Sequence, residues 1–246
     1  MFTPTVCFVL LAVLFSAVIR GLAGFGFSIA AVPLVSLILP PVDAVTLAIL
    51  LQLILGTYEL YALKGQSDKG SLTRLTIGAV FGTPLGIYAI TALSPDGARI
   101  AISIAVLLGL AILLRNKTTA LRPNNGLEIA TGLASGIFSG LAAMPGPPAV
   151  AYYLGIGMPP KQTRASLMVF FFFVSVIATP GLALAGAINA QMLLLVLVCV
   201  PVFFLGTWIG ARCFARLGDT QYRSIAITVM AISGVLAGWR GLSVYL

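Results

Sequence analysis

Apolar residues fill this chain in long blocks separated by short polar breaks. The blocks fall at 5–20, 27–39, 43–63, 71–93, 97–114, 127–144, 146–158, 163–185, 189–211 and 221–239. Eight have the length of ordinary transmembrane helices, about 20 residues. The second and seventh are short, contain proline, and follow Gly-rich or Pro-rich turns. As a helix, 27–39 reaches about 20 Å at 1.5 Å per residue, less than the roughly 30 Å hydrocarbon core. Non-helical backbone must then lie at membrane depth, where only neighbouring protein or a water-filled cavity tolerates it.

The pattern occurs twice. Gly21-Leu22-Ala23 recurs as Gly140-Leu141-Ala142, and Pro40-Pro41 recurs as Pro159-Pro160 at the same shift. At a slightly larger shift, Gly82-Thr83-Pro84-Leu85-Gly86 recurs as Gly206-Thr207-Trp208-Ile209-Gly210. Duplicated apolar halves are the usual plan of membrane transporters, with the site between the copies. The predicted fold is an all-α integral membrane protein of two inverted repeats, each of about five hydrophobic segments with a short Gly/Pro-interrupted second segment. The expected organisation is a single transmembrane transporter domain over 1–246. Repeat 1 covers about 5–115, the linker 115–126, and repeat 2 about 127–240.

The basic residues arbitrate the topology. If both short segments cross, every Lys and Arg except Arg99 and Arg240 falls on one side. If both are re-entrant, the split becomes even. The first arrangement gives ten spans, puts both termini outside and puts the 115–125 linker in the cytoplasm. An odd number of crossings per copy also makes the copies inverted, which suits alternating access.

Composition agrees. Hydrophobic residues make up 60% of the chain and charged residues 8%, against about a quarter charged in soluble domains. The net charge of +8 sits in short loops, so it marks topology and implies no nucleic-acid partner. The N-terminal block lacks a basic n-region, and Arg20 follows it, so it reads as a retained first span. Cys7, Cys199 and Cys213 are isolated, and there is no His. Metal spacing and His-based proton shuttling are thereby excluded. No nucleophile–base pair or phosphate-binding loop is visible, so the chain reads as a non-enzyme with no organic cofactor.

The chemistry concentrates at the two turns. Gly21, Gly24 and Gly26 make a sterically open turn, and its counterpart is Met144-Pro145-Gly146-Pro147-Pro148. Both read as helix N-termini opening at depth, and such N-termini hold anions through free N–H groups and the dipole. The candidate substrate-binding set is Arg20, Gly21, Gly24, Phe25, Gly26, Ser28, Ser139, Pro145, Gly146 and Tyr152. Thr163, Arg164 and Tyr153 are neighbours of that set. The competing reading is that the small residues only allow close helix packing, and that Arg20 snorkels to the interface. Glu59 is the carboxylate inside an apolar run, with Gln52 two turns earlier on a similar face, and it is the proton-coupling candidate. Asp68, Asp96, Glu128 and Asp219 read as loop or span-end residues, and Asp43 as the outer end of the third span.

The run Gly21-Leu22-Ala23-Gly24-Phe25-Gly26-Phe27, then Pro33, then Pro40-Pro41, resembles the opening signature of the TauE/SafE family of sulfite and sulfonate exporters. The resemblance spans about 10–240. It implies two related halves, each opening with a Gly-rich turn and a short Pro-containing helix. It also implies a multi-pass carrier of the cell (inner) membrane that exports a small sulfur anion, sulfite or an organosulfonate. One departure is the proline-rich turn at 144–148, which makes the two half-sites inequivalent. The expected partners are a small anion and the lipid bilayer. The rival functions are an anion channel and a carrier of another small organic solute.

Overall fold

The computed structural model describes residues 4–63, 65–115 and 121–214. Among these residues the chain forms nine helices and no strand: α1 (Pro4–Ala23), α2 (Phe27–Val35), α3 (Pro41–Ala62), α4 (Lys69–Ala92), α5 (Pro95–Arg115), α6 (Asn125–Ala142), α7 (Gly146–Gly155), α8 (Pro160–Leu184) and α9 (Ala190–Phe214). They follow the first nine apolar blocks. The tenth block, 221–239, lies outside the described residues, as do Arg216, Asp219, Arg223 and Arg240.

Local chemistry sets the helix starts. Asp68 caps α4 by accepting from the Ser71 amide at 3.2 Å, and Asn124 caps α6 by accepting from the Gly126 amide at 2.8 Å. This is the expected use of Asp and Asn. Pro41 and Pro160 occupy first-turn positions of α3 and α8, where the missing N–H costs nothing. Five helices, α1, α3, α4, α8 and α9, are long and apolar enough to cross a membrane. Phe81, Tyr88, Leu184, Leu197 and Trp208 are exposed on the outside of the bundle, as a lipid-facing surface requires.

α2 is shorter than its apolar block. It ends at Val35, and residues 36–39 continue as turns. Its nine residues rise only about 14 Å. Both short helices are almost wholly buried within the protein.

The repeated glycines lie in two close helix seams, α4 with α6 and α1 with α9. A Cβ on Gly140 would strike backbone at Thr83, Gly86 and Ile87. A Cβ on Gly21 would strike backbone at Thr207, Gly210 and Ala211. These partner sets correspond residue for residue under the sequence repeat. Only glycine permits such approach. Ser16, Ser135, Thr83 and Thr207 follow the same correspondence. Each carries a buried hydroxyl with no hydrogen-bond partner among the described residues.

Candidate functional site

Arg20 lies in the last turn of α1, a mostly apolar helix, yet it is only 1% exposed. It does not snorkel. Its guanidinium faces Glu59 end-on: Nη1 donates to Oε1 at 2.6 Å and Nη2 to Oε2 at 2.7 Å. Glu59 is itself 6% exposed. The Phe203 ring lies 5.7 Å from the guanidinium carbon, within cation–π range. The same ring packs on Phe27 at 4.4 Å between centroids. The Arg20 Nε–H is buried and has no partner among the described residues.

A small cavity opens beside this pair. Arg20, Phe25, Gly26, Phe27, Ser28 and Ile29 line it from the first half of the chain. Ala143, Met144, Pro145 and Gly146 line it from the second half, with Gln52 and Phe171 completing the wall. Its volume is about 10 Å³, room for roughly one water. The first turns of α2 and α7 thus meet at one cavity.

The two turns are built differently. Gly24 and Gly26 both have positive φ, 76° and 95°, which disfavours any side chain. Gly24 is also hemmed by Arg164, whose Cγ lies 2.5 Å from where a Cβ would stand. Arg164 Nη2 donates to the Gly21 carbonyl at 3.1 Å, so it braces the turn from outside the cavity wall. The second turn passes through Ala143 at φ 54°, an uncommon conformation for a residue with a Cβ. The opening of α2 has no side-chain cap, so Phe27, Ser28 and Ile29 bring uncommitted first-turn amides. Pro147 and Pro148 carry no N–H, so α7 offers fewer.

Gln52 links both turns. Its amide nitrogen donates to Ser28 Oγ at 3.0 Å and to the Ala143 carbonyl at 3.4 Å. α2 ends near the start of α5, where Arg99 Nε donates to the Ser36 carbonyl at 3.3 Å. α7 ends beside the segment after α5, where the Leu121 amide donates to the Gly155 carbonyl at 2.9 Å.

Of the candidate residues, Arg20, Phe25, Gly26, Ser28, Pro145 and Gly146 come together at the cavity. Gly21 sits in the α1–α9 seam, Gly24 on the far side of its turn, and Ser139 in the last turn of α6. Thr163 is buried, and its hydroxyl donates to the Met158 carbonyl at 3.2 Å. Tyr152 points elsewhere: its hydroxyl donates to Glu128 Oε1 at 2.6 Å.

These residues belong to a polymer with known relatives. The sequence matches the family described as "Sulfite exporter TauE/SafE" over residues 9–237. The chain belongs to the TauE/SafE family. It is also 26% identical over 170 residues to a Cupriavidus necator protein named "Probable sulfite/organosulfonate exporter TauE". That match covers 66% of this chain and 65% of the relative, so the chain spans just under two thirds of the relative's length. No solved structure matches. Family membership and the five long apolar helices make this a multi-pass membrane protein.

This TauE/SafE chain holds a second ion pair, between a buried Glu128 and a partly exposed Arg74, that the sequence reading passed over. Glu128 does stand at a span end, as read from the sequence, but it is buried there. It is 2% exposed in the first turn of α6, and it accepts from Arg74 Nε and from the Tyr152 hydroxyl. Beside it, Tyr153 and Ser71 share a hydroxyl hydrogen bond at 3.2 Å. Asp68 caps α4 and takes no part in the pair, while Asp96 pairs with Arg99 at 2.8 Å. The signal for Glu128 was weak because its partners lie 54 and 24 residues away.

Proposed function

We propose that this protein is a carrier, without catalysis, that moves a small sulfur anion, sulfite or an organosulfonate, outward across the inner membrane. The anion is held between the N-termini of α2 and α7, with Arg20 supplying charge-assisted hydrogen bonds. Glu59 is the proton-coupling carboxylate. The observation that carries this reading is the single cavity lined by Arg20 and by both first turns.

The cavity as it stands is too small for a sulfonate headgroup. A carrier in an occluded state has this property, and Phe25, Met144 and Phe171 are the side chains that must withdraw. The two halves act as inverted repeats. Support comes from the ends of the short helices: α2 finishes at the start of α5, and α7 beside the segment that follows its end. Two helices leaving one point for opposite faces are what alternating access needs.

The test is binding of sulfite, methanesulfonate and other small sulfur anions to the purified protein by titration calorimetry. Binding is expected for at least one of them. Arg20→Gln should weaken it by about 1–3 kcal/mol, the range for a hydrogen bond to a charged group. An unchanged affinity in Arg20→Gln would remove Arg20 from the site. A wild-type protein that binds none of these anions would overturn the reading.

A further inference from the structure

The Arg20–Glu59 pair uses only one edge of the guanidinium. Arginine has five N–H donors in a rigid planar fork. Glu59 takes the end edge, one hydrogen from each terminal nitrogen. The side edge, formed by Nε–H and the remaining Nη2–H, is a second bidentate face. Its Nε–H is buried without a partner among the described residues, and Arg20 lines the cavity. An oxyanion can therefore dock on the side edge while Glu59 stays in place.

That geometry fixes the charge of the site. Arg20 and Glu59 cancel. Each helix N-terminus contributes at most about half a positive charge, and α7 gives the smaller share because Pro147 and Pro148 lack N–H groups. The two together therefore offer at most about one positive charge. Arg20 is the charged group that meets Glu59 among the described contacts. From α9 the site receives the neutral Phe203, and from α2 and α3 the neutral Ser28 and Gln52. From α8 comes Arg164, which binds the Gly21 carbonyl behind the turn and does not line the cavity.

We infer that the site is balanced for a monoanion, and that a dianion enters only together with a proton on Glu59. This rests on the proposed anion site. Glu59 is then a positioning residue for Arg20 in monoanion binding and the proton acceptor in dianion binding. No other group is required: the proton comes from solvent, adds to one Glu59 oxygen, and restores neutrality against the second negative charge. The substrate class the resting site prefers is the sulfonate, R–SO₃⁻, and the singly protonated form of sulfite.

The experiment is calorimetric titration of the full chain in detergent with methanesulfonate, a fixed monoanion, and with sulfate, a fixed dianion near neutral pH. Each titration is run in two buffers of different ionisation enthalpy, which counts the protons exchanged. Wild-type protein should bind methanesulfonate with no net proton exchange. It should bind sulfate more weakly, with uptake of about one proton. Glu59→Gln should bind sulfate without uptake, and the ratio of the two dissociation constants should move about tenfold or more toward sulfate. Glu59→Asp keeps the charge and should keep the wild-type preference. Sulfate binding to wild type without proton uptake overturns the inference, and so does a ratio within about twofold of wild type in Glu59→Gln. The wild-type proton count decides the question even where Glu59→Gln does not fold. Failure of wild type to bind either these anions or sulfite overturns the anion site itself, which is a separate result.

Discussion

Breaking the Arg20–Glu59 pair from one side should cost far more than removing it whole. Both side chains are buried, at 1% and 6% exposure, and joined by two short hydrogen bonds. Arg20→Met leaves a carboxylate in the protein interior, and Glu59→Leu leaves a guanidinium there. Each should destabilise by about 3–5 kcal/mol, the range for an uncompensated buried partner. The double variant Arg20→Met/Glu59→Leu removes both desolvated charges and should lie within about 1 kcal/mol of wild type. The effects are then strongly non-additive, as contacting residues require. The assay is denaturant titration in mixed micelles, read by thiol labelling of Cys199, which is fully buried. Cys7 and Cys213 are exposed and are first changed to Ser. The double variant should fold and yet bind no anion, which would separate the pair's stability role from its function. Single-variant costs below about 1 kcal/mol would show that water reaches the pair, and would refute the burial argument.

Three further outcomes follow from the packing. Gly86→Leu puts a side chain into the backbone at Ile137, Gly140 and Leu141, and should leave little monodisperse protein on size exclusion. Tyr152→Phe removes one donor to a buried carboxylate that keeps Arg74, and should lower stability by about 1–3 kcal/mol in the same micelle titration. For topology, a cysteine at the exposed Arg122 should react with impermeant maleimide only after cell lysis, and one at the exposed Asp96 in intact cells; the reverse pattern would invert the orientation.

The helices were legible because long apolar blocks and cap residues are local signals, as at Asp68, Asn124 and Pro41. The α2 and α7 turns were legible because the repeat marks them twice. What escaped was pairing at a distance. Arg20 and Glu59 were both singled out, but 39 residues separate them. Their meeting depends on how α1 is rotated against α3, which no periodicity encodes. Glu128 was placed at a span end, and it lies in the first turn of α6, but its burial was not legible. Its burial comes from α4 and α7, which supply Arg74 and Tyr152. The glycines at 21, 24 and 26 looked alike in sequence and do three different things. Gly21 admits α9, Gly24 makes room for Arg164, and Gly26 opens α2 at the cavity.

The glycine seams also constrain how such a protein can move. Simple rocking would carry the two sequence halves as separate bodies. The tightest contacts oppose this, because each joins helices from different halves. α1 is locked to α9 and α6 to α4, at places where no Cβ fits. Sliding either seam would drive backbone into backbone. The moving parts must instead divide between the seams, with α3, α8 and the short helices changing their fit around Phe25, Met144 and Phe171. A tether across one seam should therefore be harmless. Phe81 on α4 and Leu133 on α6 are both exposed, and the Leu133 backbone lies against Gly82. Cysteines at 81 and 133, joined by a short bis-maleimide, should leave substrate flux in proteoliposomes at more than about half the untethered rate, since chemistry away from the moving surfaces changes little. Flux that stops on cross-linking and returns with a cleavable linker would show that the seam itself slides, and that the halves rock as the sequence divides them.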